Sequence, residues 1–256
     1  MAQGWTLFCA RARILLVALV FSPASAAAAA SSAPAKEADL PALVEAFFSR
    51  DVQTRNTAGE ALLKAGPKAV PAVLAGITNG RRHSRAAMLM ARLGPAGAKA
   101  LLAHVGDPAL GREASNLLFQ TIGTGSAGLT PKLLDCMRTQ EGAKQNCGQA
   151  LVKIMTPAAA AQVPHLRKAL KDRDADIRSF SALALGQIRG GARAAVPDLA
   201  AALKDPEPRV RYNAVLALGR IGRAARGAKT ALEAAAKDGT PEFQAAVAEA
   251  LRSIRG

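Results

Sequence analysis

The groups in this chain most able to do chemistry are three histidines, two nearby cysteines and two columns of cations. His83, His104 and His165 fall in different segments, and none stands in an H-E pair or beside a cysteine at metal-ligand spacing. No metal or cofactor is therefore predicted. Ser84, Ser115 and Ser179 have no His and Asp placed to activate them, which leaves nucleophilic catalysis without support. R189-G-G-A-R and G219-R-I-G-R contain glycines but lack the preceding strand that a phosphate loop requires. The expectation is a protein without enzymatic activity. Cys136 and Cys147 belong to the first and second helices of one predicted hairpin. An oxidising compartment would join them if their Cα atoms come within about 7 Å, and two buried free thiols are the alternative. The first cation column reads Arg55, His83, Arg112, Lys144, Arg178 and Arg211. The second follows nine residues later, with Lys64, Arg92, Lys153 and Arg220 among Thr121, Gln187 and Ser253. Nine residues are 2.5 helical turns at about 3.6 residues per turn, so the columns face opposite ways.

These columns exist because the chain repeats one helical sentence between Leu40 and Ile254. Steps of 33 residues carry Leu166 to Leu199 and Leu232, Asp172 to Asp205 and Asp238, Leu185 to Leu218 and Leu251, and Ile188 to Ile221 and Ile254. Each unit opens with a short helix that has proline near its start, as at Pro41, Pro71, Pro131, Pro164 and Pro197, where the missing N–H costs nothing. A turn rich in Asp, Gly or Pro leads to a second helix with apolar residues at helical spacing. Such a pair cannot bury its apolar stripe alone, and a period of this length predicts stacking into a solenoid. Half of the residues are hydrophobic and only 4% aromatic, which suits helices packed through Ala and Leu. No segment reads as a strand.

The words V-P-x-L-x-x-A-L-x-D, V-R-x-x-A and A-L-G-x-I resemble HEAT repeats, in the short HEAT-like form of phycobilin lyases and of many bacterial proteins. They are clearest over 163–221 and looser over 40–94, 97–154 and 229–254, where the final Ile becomes Ala65 or Leu93 and the turn Arg becomes Gln244. The resemblance implies an all-α fold, an α-solenoid of about seven stacked helical hairpins. It also implies that the first cation column is structural, with Arg178 and Arg211 pairing turn carboxylates such as Asp172 and Asp205. In such proteins the second helices line the concave side. A partner would then meet Arg92, Lys153, Leu183, Tyr212, Leu216 and Arg220, in a mixed apolar and cationic surface that includes Leu117 and Asn213. The competing reading buries the leucines against the next unit and leaves the cations on a solvated edge. The repeated His-Glu pairs of deoxyhypusine hydroxylases have no counterpart here. Nor do the groove aromatics of HEAT-like DNA glycosylases, since the one Trp is Trp5.

Residues 1–26 have the anatomy of a secretory signal peptide: Arg11 and Arg13, the apolar run from Ile14, then small residues with a cleavage site at Ala24-x-Ala26. An uncleaved anchor is the rival, but the uncharged stretch is short against the ~20 apolar residues of a spanning helix. Residues 27–38 form an Ala/Ser-rich linker and 39–256 the solenoid. Export to the periplasm or medium is the expectation. Cleavage lowers the formal charge from +15 to +13, which keeps anionic partners open. The reading is a non-catalytic scaffold or adaptor for a protein partner, an acidic one being compatible with this charge. Charge-driven binding of an anionic envelope polymer or nucleic acid is the alternative, and an accessory subunit of a lyase-like enzyme the third. Nucleic acid is disfavoured by export, and membrane contact is confined to the signal peptide or to surface charge.

Overall fold

The protein is described by a computed structural model that covers residues 39–237 and 239–255, all within one unit, Ala35–Gly256. Residues 1–26, expected to be a signal peptide, residues 27–38, expected to be a linker, and Asp238 and Gly256 lie outside the described residues. Thirteen helices follow in order: α1 Leu40–Phe47, α2 Val52–Ala65, α3 Val70–Ala75, α4 Gly80–Ala103, α5 Gly111–Thr121, α6 Thr130–Thr139, α7 Lys144–Lys153, α8 Val163–Ala169, α9 Ala175–Ile188, α10 Val196–Ala202, α11 Pro208–Ile221, α12 Lys229–Ala236 and α13 Pro241–Arg255. There is no strand among the described residues. Helix α4 breaks at Gly94, where φ is 57°, and Pro95 starts its second half. Counted so, the chain forms seven hairpins, the third made of the end of α4 with α5. This is the all-α solenoid expected.

Local chemistry sets the helix ends. Asp51, Asn79 and Asp174 cap α2, α4 and α9 by accepting hydrogen bonds from the amides of Thr54, Arg82 and Asp176. Proline enters the first turn of α1, α3, α6, α8 and α10. Second helices hand over to the next unit through short 3₁₀ turns. The turn-entry residue has positive φ at Gly66, Gly94 and Gly222, and at Arg189 as well. Three of these four positions hold glycine because φ near +60° with ψ near −137° is almost closed to other residues.

Packing explains the repeated words. Leu166, Leu199 and Leu232 from the first helices, and Ile177 and Val210 from the second, are fully buried. Ile188, Ile221 and Ile254 close the end of the core, each contributing about 1.5–3 kcal/mol of burial free energy. Leu251 in the last helix is only partly covered. The glycine of A-L-G-x-I sits where successive second helices touch. A Cβ on Gly186 would stand 3.0 Å from Ala217 Cα, and one on Gly219 would stand 3.1 Å from Ala250 Cα. Small residues thus bring α9, α11 and α13 into backbone contact.

Candidate binding faces

The first cation column turns into a set of clamps. Arg55, Arg178 and Arg211 each donate through Nη1 to two main-chain carbonyls of the turn before their helix: Ser49 and Arg50, Asp172 and Arg173, Asp205 and Pro206. Arg178 also reaches forward, with Nε 2.7 Å and Nη2 2.8 Å from the carboxylate of Asp205 in the next unit. Burial pushes the Asp205 carboxyl up, but the Arg178 guanidinium and the Glu207 amide more than offset it and hold it below the usual carboxylate range. The Asp172 carboxylate takes a different partner from the one expected, Arg138 of α6 at 2.9 Å. Arg211 binds only carbonyls among the described residues. Of the column's arginines only Arg178 is bridged to an aspartate of the next unit, while Arg55 and Arg211 hold main chain. His83 departs from the column, lying between Glu113 (2.8 Å) and Gln120 (3.2 Å).

In the fourth hairpin Cys136 and Cys147 form a disulfide with their Cα atoms 6.4 Å apart. Lys144 stands where the clamping arginine would be. It salt-bridges Glu141 at 2.6 Å and Asp174 at 2.9 Å, and Glu141 first and Asp174 second raise its pKa well above the ordinary lysine value.

The six residues expected to bind a partner do not form one site. Arg92 is tied to Glu60 at 2.9 Å. Lys153 donates to the carbonyls of Phe119 and Gln120, capping the end of α5, with its ammonium 5.6 Å from the Phe119 ring. Leu183 is partly buried against the core. Leu117 and Asn213, expected on this surface, are buried, Leu117 because α5 packs deep in the stack and Asn213 because its amide donates to Ser179 Oγ at 2.7 Å. Asn146 donates to Ser115 Oγ in the same way at 2.6 Å. This inter-unit amide–hydroxyl joint has no sequence word of its own, and the recurrence of Asn 31 to 34 residues after Ser is the signal that could have revealed it.

Tyr212, Leu216 and Arg220 do converge. They line a groove of about 890 Å³ between α11 and α13, with Val215 on one wall and Ala245, Ala246 and Ala250 on the other. Arg189 and Arg220 stand on the α11 side and Glu242 and Glu249 on α13. Arg220 donates to Gln187 at 3.3 Å. Tyr212, 42% exposed, also borders a second groove of about 780 Å³ lined by Leu203, Arg209 and Phe243. Elsewhere, no three metal-ligating side chains converge and no helix is long and apolar enough to cross a membrane, among the described residues.

Comparison with known proteins agrees with this geometry. Residues 163–252 match the family described as HEAT repeats. The HEAT-like repeats protein of the archaeon Thermococcus onnurineus NA1 superposes with a TM-score of 0.51 at 11% identity, over 87% of this chain and 98% of that one. An engineered protein superposes with a TM-score of 0.50 at 20% identity, over 85% and 96% of the two chains. At these identities the likeness is one of fold. No curated protein sequence matches the chain. Residues 163–252 are HEAT repeats, and the described residues as a whole have a helical solenoid fold.

Proposed function

We propose that this protein is a non-catalytic scaffold that holds a protein segment against the second helices of its last two hairpins. The observation that carries this is the α11–α13 groove, where an exposed tyrosine, a half-buried leucine and an arginine surround a floor of small apolar residues. Aromatic and Arg anchors over a desolvated apolar floor are the composition of interface hot spots. The groove has cations on one wall and carboxylates on the other, so a partner segment with charges of both signs fits better than a uniformly acidic one. Arg92 and Lys153 serve structural bonds in this reading.

The reading places the protein outside the cytoplasm, in the periplasm or envelope. The Cys136–Cys147 bridge supports it, since such bonds persist where the environment is oxidising. The test is affinity capture from envelope extract with the parent and with Tyr212→Ala, Leu216→Ala and Arg220→Glu combined. A defined protein retained at moderate salt by the parent and lost by the variant, with the circular dichroism of both alike, is the expected result. Equal retention by both would remove the groove as the site.

A further inference from the structure

The charge of this solenoid is sorted between its two edges. In a stack of antiparallel hairpins, the turns within hairpins line one edge and the turns between hairpins line the other. The 3₁₀ turns Thr124–Leu129, Pro157–Gln162, Arg189–Ala195 and Gly222–Ala228 pack on one another in series, so the second edge is continuous. The six stretches that build it are 64–71, 92–99, 120–131, 152–164, 187–197 and 220–230. They contain eleven Lys and Arg and no Asp or Glu. The rest of 39–255 contains twenty Lys and Arg against eighteen Asp and Glu, so most of the net charge belongs to this one edge. The end of α13 packs on it and adds Arg255, together with Arg252, which is paired with Glu249.

Its cations are exposed and largely uncommitted. Lys68, Lys99, Arg189, Arg193, Arg223 and Arg226 are exposed and make no ion pair among the described residues. On the opposite edge Arg178, Lys144 and Arg138 are each matched to a carboxylate and Arg55 and Arg211 hold main-chain carbonyls, while Arg50, Arg173 and Lys204 are exposed without an ion pair among the described residues. Arg189 adds an independent mark. It holds a guanidinium at φ 54°, where the sister turns have glycine, against the backbone preference of a non-glycine residue.

From this segregation we propose that the inter-hairpin edge docks on an anionic lipid bilayer surface. The array is two-dimensional: it runs along the stack from turn to turn, and across it between cations four residues apart such as Arg189 and Arg193. The residues between them are small and exposed, Ala158, Ala160, Gly190, Gly191, Ala194 and Gly227, so a plane can approach closely. None of the six stretches contains an aromatic residue, so the edge has no stacking platform for the bases of a single-stranded nucleic acid or the rings of a polysaccharide. With no large apolar side chain to insert, attachment is electrostatic and reversed by salt.

The test is sedimentation of the mature protein, residues 27–256, with vesicles of phosphatidylglycerol and phosphatidylcholine, and with phosphatidylcholine alone. An edge variant carries Lys68→Gln, Arg193→Gln, Arg223→Gln and Arg226→Gln. A control carries Arg50→Gln, Arg112→Gln, Arg173→Gln and Lys204→Gln, the same charge change on or beside the turns within hairpins. A 14-residue helix puts the two edges about 20 Å apart, beyond the ~8 Å screening length at physiological salt. The expected result is binding that depends on phosphatidylglycerol, reduced about a hundredfold in the edge variant and less than about threefold in the control. Equal losses in the two variants, or no binding to anionic vesicles, would overturn the proposal. So would tighter, edge-dependent binding to soluble polyglutamate than to vesicles, which would assign the edge to a polymer. None of the four edge substitutions lines the α11–α13 groove, so this result and the capture experiment fail separately.

Discussion

The fourth hairpin and the fifth and sixth face the same mechanical demands, to close a turn and to bind the next unit, and answer them with different chemistry. In the fifth and sixth, Arg178 and Arg211 clamp turn carbonyls, Arg178 crosses to Asp205, and Gly186 and Gly219 let second helices meet backbone to backbone. In the fourth the turn is short, its clamp position is Lys144, and the helices are closed by the Cys136–Cys147 bond. There Gly148 makes room for the Phe180 ring of the next unit rather than for a backbone. Closure by shared noncovalent words keeps a repeat recognisable. The HEAT match starts at residue 163, just after the disulfide-closed hairpin.

Breaking the charged joint is expected to have the largest effect. Arg178→Ala leaves the nearly buried Asp205 uncompensated and the carbonyls of Asp172 and Arg173 without their donor, and should cost about 3 kcal/mol in urea unfolding. Acid attacks the same region without mutation. Asp174, Asp198 and Asp205 are buried enough to be pushed up, yet Lys144 for the first, Arg167 and Lys171 for the second and Arg178 for the third bring all three below the usual range. Their contribution is complete above the ordinary carboxyl pKa of about 4 and is lost as pH falls through the depressed values. Hydrogen exchange should show the amides of 163–221 losing protection in that window.

Reduction sharpens the comparison from the other side. Treatment with dithiothreitol, or Cys136→Ser with Cys147→Ser, should lower stability by about 2–3 kcal/mol, with the first loss of exchange protection in α6 and α7. Gly186→Ala should cost about 1–2 kcal/mol in thermal unfolding because the facing atom is Ala217 Cα, which cannot swing away. Smallest, and opposite in sign, Arg189→Gly should stabilise by about 1 kcal/mol by relieving its backbone conformation. A null or negative result there would mean that the guanidinium makes up for its backbone in the fold itself.

The architecture was legible because it is written redundantly. Leu166, Leu199 and Leu232 say the same thing three times, and the glycine of A-L-G-x-I does so twice. The binding face was less so. Sequence columns carry helix phase but not depth, so Leu117 and Leu216 look alike although one is sealed in the stack and the other borders a groove. Phase also cannot say which bond a cation makes. Arg92, Lys153 and Arg220 share a column yet hold a carboxylate, two carbonyls and an amide oxygen. The edge segregation was present in the sequence throughout, but it emerges only when residues are sorted by turn rather than by helix face.

Tyr212 stands on the ridge between the two grooves and is the only tyrosine in the chain. Its place makes it an intrinsic optical label. Any tyrosine-specific signal, whether a phenol resonance, a near-ultraviolet band or nitration by a mild reagent, comes from one address in the sixth hairpin. Occupancy of either groove could therefore be followed in the unmodified protein.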